Sequence, residues 1–205
     1  MFIQYSRVSQ KKYLYPRDKN DDNTKYTMAD AIFTACFLNE LNRNCDIIGM
    51  ANYAPAVNTR GCIFTYPEGI VLRSTYHVFD LYVNYMGDIV LNTWSENMPF
   101  ITVQNKAKEN LDISALDILV SKWSDKPGIA VAAVNKDPLN SQSLQLDIAG
   151  AKGNVKHFCL MGESTESYND INHEEAKIEE KDLGNFSDNR EIILPPHSIN
   201  IIQIL

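Results

Sequence analysis

The sequence lacks paired cysteines. The four that it has show no C-x-x-C pair and no regular histidine partner, and they are Cys36, Cys45, Cys62 and Cys159. A zinc site or a disulfide framework needs regularly spaced ligands or partners, so neither is predicted, and we expect no metal and no other cofactor. Four reduced thiols favour a reducing compartment.

Long apolar runs and excess positive charge are missing as well. No stretch reaches the roughly 18 consecutive apolar residues of a membrane-spanning helix, and residues 1–12 lack the apolar centre of a signal peptide. We therefore expect a cytoplasmic protein with no membrane partner, an expectation that a signal peptide encoded upstream would change. The net charge of −7 disfavours nucleic acid as a partner but suits neutral sugars.

Helical periodicity begins after a polar segment. Residues 13–25 have no periodic pattern, which indicates a loop. Thr27 and Asp30 have the spacing of a helix cap, and the apolar residues that follow recur every three or four positions. This pattern predicts a helix that ends near Asn44.

Strand-like and helical segments alternate in the next forty residues. Residues 46–50, D-I-I-G-M, are predicted to form a buried strand, and residues 62–66, C-I-F-T-Y, form a second one. Apolar residues at helical intervals predict a helix over residues 75–86, and Gly87 is placed to end it.

The pattern changes after Gly87. Short apolar or alternating segments then follow one another with turn residues between them, which is typical of an antiparallel sandwich. The segments are residues 88–94, 115–123, 128–136, 143–148, 154–160 and 198–205. Residues 163–190, rich in Asn, Asp and Glu, are predicted to be a solvated loop with short strands.

Five stretches carry a more specific signal. They read T-M-A-D-A-I-F-T-A-C-F-L-N-E-L-N-R-N-C-D-I-I-G-M-A-N-Y-A-P-A-V-N at 27–58, L-R-S-T-Y-H-V-F-D-L-Y at 72–82, V-N-K-D at 134–137, G-E-S-T-E-S-Y-N-D-I-N at 162–172 and L-P-P-H-S-I-N at 194–200. In this order they resemble glycoside hydrolase family 51 α-L-arabinofuranosidases. The first two stretches resemble the end of the catalytic barrel in that family, and the last three resemble its carboxyl-terminal β-sandwich.

The resemblance implies an α/β part joined to an all-β part. Residues 1–87 would be the incomplete terminal part of a (β/α)₈ barrel, and residues 88–205 an antiparallel, jelly-roll-like β-sandwich. A barrel strand without its neighbours leaves sheet edges unpaired. We therefore expect the first ninety residues to be mobile, swapped with another copy, or packed against the sandwich.

The same resemblance implies retaining hydrolysis of α-L-arabinofuranosides. Retention needs two carboxyl groups about 5 to 5.5 Å apart, one as acid/base and one as nucleophile. In the family one glutamate follows an Asn at the end of the fourth barrel strand, and the other lies in a D-E-W-like motif at the end of the seventh. This sequence has no D-E-W-like motif, its one Asn-Glu pair, at residues 39 and 40, falls in a predicted helix, and residues 2–8 contain no Glu. We expect a carboxyl-terminal fragment that is inactive alone and meets an arabinose-containing glycan only when the missing barrel is present.

Other acids and bases in the sequence have ordinary structural explanations. Glu40 is expected on a solvated helix face, Glu68 in a turn, and Asp80 as a hydrogen-bond acceptor within a helix. His77 is expected to be a packing histidine and His197 a turn residue of the sandwich. The sequence therefore offers no catalytic residue.

Ser74 is the one residue that the resemblance places near a substrate. Some family members carry a Gln between the Arg and Thr of the L-R-x-T stretch, where its amide can contact the sugar, and this sequence has Ser74 there. Ser74 and Ser198 lack a G-x-S-x-G context, so a serine hydrolase is not indicated. Trp94 and Trp123 could stack on a sugar, but tryptophan on sandwich strands is more often part of the core.

Two alternatives stay open at the level of sequence. The chain could be a stand-alone carbohydrate-binding or accessory module built on the sandwich. It could also be one half of a split enzyme, with a separate amino-terminal catalytic chain or a second copy of itself as partner.

Overall fold

The computed structural model describes residues 25–187 and 190–205. The loop predicted for residues 13–25 lies outside this range except for Lys25, and so does the segment 2–8. The described residues form two α-helices and fourteen β-strands. No helix among them is long and apolar enough to cross a membrane.

Both predicted helices are confirmed within a residue or two. The first helix, α1, spans Met28–Arg43, and the second, α2, spans Ser74–Tyr85. At the start of α1 the Thr27 backbone N–H donates to Oδ2 of Asp30 at 2.9 Å, which supplies one of the partners that a helix terminus lacks.

A six-stranded antiparallel sheet forms the centre of the molecule. Its strand order is β12-β9-β14-β7-β6-β3. The strands are β3 (Ile89–Leu91), β6 (Leu116–Lys122), β7 (Ile129–Asn135), β9 (Asn154–Met161), β12 (Lys177–Asn185) and β14 (Ser198–Ile204). The middle strands β7 and β14 are buried along almost their whole length, which explains their continuous apolar sequences.

Four two-stranded ribbons surround this sheet. They are β1 (Ile63–Tyr66) with β2 (Gly69–Leu72), β4 (Phe100–Gln104) with β5 (Asn110–Ser114), β8 (Gln142–Leu146) with β13 (Arg190–Leu194), and β10 (Asn169–Asp170) with β11 (His173–Glu174). Every ladder between these named strands is antiparallel. The fold shown is therefore mostly β-sheet with two helices.

The central sheet carries a hydrophobic core on each face. Alternation along β14 shows the division: Ile199 and Ile201 join the core under the helices, whereas Ile202 and Ile204 join the core under the β8–β13 ribbon. Both helices pack on the first face, where α1 contacts β6, β7 and β14, and α2 contacts β14, β9 and β12. The first ninety residues were expected to be mobile, swapped with another copy, or packed against the sandwich. For the two helices, the structure shows packing against the central sheet. The division between residues 87 and 88 stays a prediction.

The strand predicted at residues 46–50 is wrong. These residues form the end of a turn and an irregular segment, and the side chains of Ile47 and Met50 are 78% and 79% exposed. A barrel strand is held by hydrogen bonds to a strand on each side, and the described residues supply neither neighbour.

The prediction of a loop with short strands over residues 163–190 is correct for β10 and β11 but misses β12. This nine-residue strand lies at the sheet edge, paired with β9 alone, and its register shifts between Asp182 and Gly184. Its charged side chains protect an open edge from pairing with other chains, and they also hide the alternation expected of a strand. The ribbon β4–β5 and strand β2 were likewise not predicted.

Candidate functional site at the start of the two helices

The beginnings of α1 and α2 meet at Ser74. This residue opens α2 and is fully buried. Its Oγ lies 2.7 Å from the carbonyl oxygen of Tyr26 and 2.9 Å from that of Thr27. The hydroxyl therefore joins the first turn of α2 to the residues that precede α1, and contact with a sugar through Oγ stays a prediction.

Arg73 joins the β1–β2 ribbon to the same place. Its side chain is only 2% exposed, and Nη1 donates to the carbonyl oxygen of Gly61 at 2.6 Å. The guanidinium group also lies over two aromatic rings, 4.5 Å from the centroid of Tyr26 and 5.5 Å from that of Phe64. Cation–π contacts of this kind gain strength when water is excluded, so the buried Arg73 side chain holds Tyr26, Gly61 and Phe64 together.

Asn169 ties this region to the sheet domain. Its Nδ2 donates to the carbonyl oxygens of Leu72 and Ala176 at 3.0 and 2.8 Å, and its Oδ1 accepts from the backbone N–H groups of Glu175 and Ala176. A buried amide with both ends satisfied fixes the backbone around it. This role of Asn169 was not predicted, although the residue lies within the G-E-S-T-E-S-Y-N-D-I-N stretch that carries the resemblance.

The predictions for the three acidic residues agree with the structure. Glu40 forms an exposed ion pair with Arg43 at 3.1 Å, and Glu68 is exposed in the turn between β1 and β2. Asp80 accepts a hydrogen bond from Nδ2 of Asn84 at 2.7 Å. Glu40 and Asp80 thus have partners on their own helices, and Glu68 is solvated in its turn.

Both histidines lie in packed surroundings. Burial lowers the pKa of His77, and its Nε2 lies 3.4 Å from Nδ2 of Asn169. His197 is 5% exposed in the turn before β14, where its Nδ1 lies 3.3 Å from the carbonyl oxygen of Pro138. The structural interpretation of both residues agrees with these positions.

Neither tryptophan lies in the core, where tryptophan on sandwich strands is more often found. Trp94 is 86% exposed, because β3 has only three residues and the chain has left the sheet before residue 94. Its indole N–H donates to Oε1 of Glu96 at 3.2 Å. Trp123 is half-buried just after β6, beside a cleft, so neither tryptophan belongs to the two cores.

The outer side of α1 and the segment after it are apolar and open to solvent. The rings of Phe33 and Phe37 stack with centroids 6.3 Å apart and are 38% and 39% exposed. Ile47 and Met50, in the segment after α1, are exposed apolar side chains as well. We call these four residues the outer α1 face.

A comparison with known families decides what this arrangement belongs to. The sequence profile described as the alpha-L-arabinofuranosidase C-terminal domain matches residues 5–198. The chain belongs to this family. The match covers both helices, the four ribbons and the central sheet except β14, of which it includes only Ser198.

Relatives of this arabinofuranosidase domain are longer than the chain. A "Probable alpha-L-arabinofuranosidase C" of Aspergillus niger is 26% identical over an alignment of 185 residues that covers 87% of this chain and 34% of the relative. That of Aspergillus clavatus is 24% identical over 181 residues, with the same two coverages. The chain thus spans about a third (34%) of the length of these curated relatives.

Solved structures share the fold of the domain. The arabinose complex of the α-L-arabinofuranosidase from Thermotoga maritima matches with a TM-score of 0.77 at 23% identity, covering 88% of this chain and 39% of that one. The thermostable GH51 α-L-arabinofuranosidase from Thermotoga petrophila RKU-1 matches with a TM-score of 0.76 at 23% identity, with the same coverages. The resemblance to family 51 found in the sequence is confirmed.

Replacing Ser74 by alanine in the domain tests the joint between the helices. The substitution removes the single hydroxyl proton that the two carbonyl oxygens share, and the Thr27 carbonyl keeps the N–H groups of Asp30 and Ala31 as donors. The buried Tyr26 carbonyl loses a donor, so we expect the free energy of unfolding to fall by about 1 to 2 kcal/mol in urea titrations. Ser141 is exposed, and Ser141→Ala should change the same quantity by less than about 0.5 kcal/mol. Equal stability of the two variants would contradict the structural role of the Ser74 hydroxyl.

Proposed function

We propose that the chain serves as the carboxyl-terminal part of a retaining α-L-arabinofuranosidase that acts on arabinose-containing glycans. The observation that carries the proposal is the family match over residues 5–198. The two glutamates that hydrolysis requires lie, on this proposal, in sequence that the chain does not contain. The chain alone is then inactive and contributes structure to a larger enzyme.

The outer α1 face supports a docking role. Burying Phe33, Phe37, Ile47 and Met50 would remove apolar surface from water, which contributes about 25 cal/mol per Å² against the entropy cost of association. About two thirds of the length of the curated relatives lies outside the matched part, because the match covers only 34% of them. The proposed occupant of the outer α1 face is that remaining, catalytic portion.

In this arrangement residues 1–87 would complete a (β/α)₈ barrel. Residues 46–50 carry the apolar sequence of a buried strand but find no strand neighbours among the described residues. Neighbouring barrel strands would supply the missing hydrogen bonds. We therefore expect residues 46–50 to form a strand in the assembled enzyme, although they form none in this chain by itself.

A chimera tests the proposal. The carboxyl-terminal third of the Aspergillus niger relative is replaced by this chain, and hydrolysis of 4-nitrophenyl α-L-arabinofuranoside is measured for the chimera, for the truncated relative and for the chain alone. We expect turnover by the chimera only. Turnover by the chain alone, above that of an identically purified preparation from cells without its gene, would contradict the proposal, as would a folded but inactive chimera.

Variants of the chimera locate the docking face. Phe37→Asp places a charge in the proposed interface and should reduce turnover at least tenfold, because an unpaired buried charge disfavours assembly. Leu139→Asp is the matched control, since Leu139 is an equally apolar side chain, 82% exposed in the loop after β7, that does not belong to the outer α1 face. Equal activity of the two variants would place the interface elsewhere.

A further inference from the structure

A cleft lies at the end of α2, away from Ser74. It has a volume of about 490 Å³, within the range of small-ligand sites. Its walls are the last turn of α2, the start of β3 and the segment after β6. The lining residues include Tyr82, Asn84, Asp88, Trp123 and Asp125.

Trp123 supplies an aromatic surface to this cleft. Sugar rings present apolar C–H faces, which pack on the faces of indole rings, while their hydroxyl groups need hydrogen-bond partners around the ring. The Lys126 ammonium lies over the Trp123 ring, 4.3 Å from its centroid. Lys126 is exposed, so its flexible side chain can move aside for a ligand.

Two hydrogen-bond acceptors line the same cleft as the ring. Asp88 is held in place by Ser124, whose backbone N–H and Oγ donate to its carboxylate at 2.8 and 2.5 Å. Both bonds lower the pKa of Asp88, and the bond from Oγ has the larger effect. They therefore favour the ionised carboxylate. Asp125 is a second exposed carboxylate on the cleft.

The ligand class follows from these groups. Carboxylates accept hydrogen bonds from hydroxyl groups. The described residues contain no cluster of three His, Cys, Asp or Glu suited to a metal ion, so Asp88 and Asp125 are treated as hydrogen-bond acceptors. With two carboxylates against one lysine, the cleft also disfavours anionic ligands.

The floor of the cleft is rigid. The backbone N–H of Gly87 donates to Oγ of Ser121 at 2.8 Å, and a Cβ built on Gly87 would overlap the carbonyl group of Lys122. The end of α2 is therefore fixed against β6. A preformed site loses less entropy when it binds a ligand than a mobile one does.

A second cleft extends the first. It has a volume of about 220 Å³ and shares Tyr82, Val83, Met86 and Gly87 with the larger cleft. The two neighbouring clefts, together called the groove, suit a chain of sugar residues better than a single one. Because α2 rises about 1.5 Å per residue, the groove lies roughly 16 Å from Ser74 along the helix.

We propose that the groove beside Trp123 binds a short segment of a neutral oligosaccharide, with its sugar ring on the indole and its hydroxyl groups on Asp88 and Asp125. The binding requires no hydrolysis and no catalytic partner. The groove would hold a glycan at a point separate from the L-R-S-T region, whether or not the chain takes part in an active enzyme.

Calorimetry with the full chain tests this site. The probes are arabinotriose and xylotriose as neutral sugars and trigalacturonate as an anionic one. We expect binding of at least one neutral probe, little or none of trigalacturonate, and at least about tenfold weaker binding after Trp123→Ala. Trp94→Ala is the matched control, because the chain has two tryptophans and Trp94 lies outside the cleft.

Further variants keep the test informative if Trp123→Ala does not fold. Asp125→Ala changes an exposed side chain and should weaken binding severalfold with an unchanged melting temperature. Lys126→Ala uncovers the ring and should strengthen binding. The proposal is overturned by absent binding of both neutral probes, by stronger binding of trigalacturonate, or by equal affinities of Trp123→Ala and the unchanged protein.

Discussion

Replacing Gly87 by alanine is expected to lower the free energy of unfolding by about 3 kcal/mol. A Cβ at this position would overlap backbone atoms of Lys122, which cannot move aside as a flexible side chain can. The shift that removes the overlap would also strain the hydrogen bond from the Gly87 N–H to Oγ of Ser121. Urea unfolding followed by circular dichroism measures the change.

Gly49→Ala is the control for this prediction. Nothing lies within 4 Å of a Cβ built on Gly49, and its φ lies outside the positive region that favours glycine. Its stability should stay within about 0.5 kcal/mol of the unchanged protein or rise slightly, because alanine reduces the entropy of the unfolded chain. If Gly87→Ala proved equally harmless, the close contact between α2 and β6 would be refuted.

Ile201→Ala should destabilise the chain by about 3 to 4 kcal/mol. Ile201 is fully buried on the central strand β14, opposite Ala132 on β7 and Phe158 on β9, and it belongs to the core under the helices. Small neighbours such as Ala132 cannot fill the space that the truncation leaves. Ile193→Ala removes the same atoms from a 54% exposed side chain on β13 and should cost less than about 1 kcal/mol.

The same titration bears on the division predicted between residues 87 and 88. Helical circular dichroism at 222 nm reports mainly on α1 and α2, and tryptophan fluorescence includes Trp123 at the end of β6. A shared core predicts that both signals change at one urea concentration, in Ile201→Ala as in the unchanged protein. Two separate transitions would contradict a shared core and support independent units.

Helix α1 and strand β14 show what could be predicted from the sequence. The apolar residues of α1 recur at helical spacing, and the isoleucines of β14 form a short, continuous apolar run. In both elements the residues that make the pattern lie within a few positions of each other. The family resemblance was likewise contained in short stretches, and the family match over residues 5–198 confirms it.

Strand β12 and residues 46–50 show why other elements were missed. The sequence of β12 is charged because the strand has a partner on one side only. The sequence of residues 46–50 is apolar, yet no partner strand exists for them among the described residues. In each case the outcome depends on which distant residues lie alongside, and a local pattern does not contain that information.

The candidate site was predictable only in part. The L-R-S-T stretch marked Ser74 as a residue of interest, but the partners of Ser74 are 47 and 48 residues away in the chain. Asn169 contacts Leu72 across a separation of 97 residues. Contacts over such distances form only when the sheet and the helices are assembled.

The sequence by itself determined the family, the two helices and the central strands, because these depend on neighbouring residues and on short motifs. The tertiary structure decided which side chains are enclosed and which are open. It buried Ser74 and Arg73 at the joint of the helices, exposed Trp94, and placed Trp123 beside two carboxylates at the end of α2. Burial and proximity depend on the packing of distant segments against each other, and that packing sets the surroundings of every candidate residue in this domain.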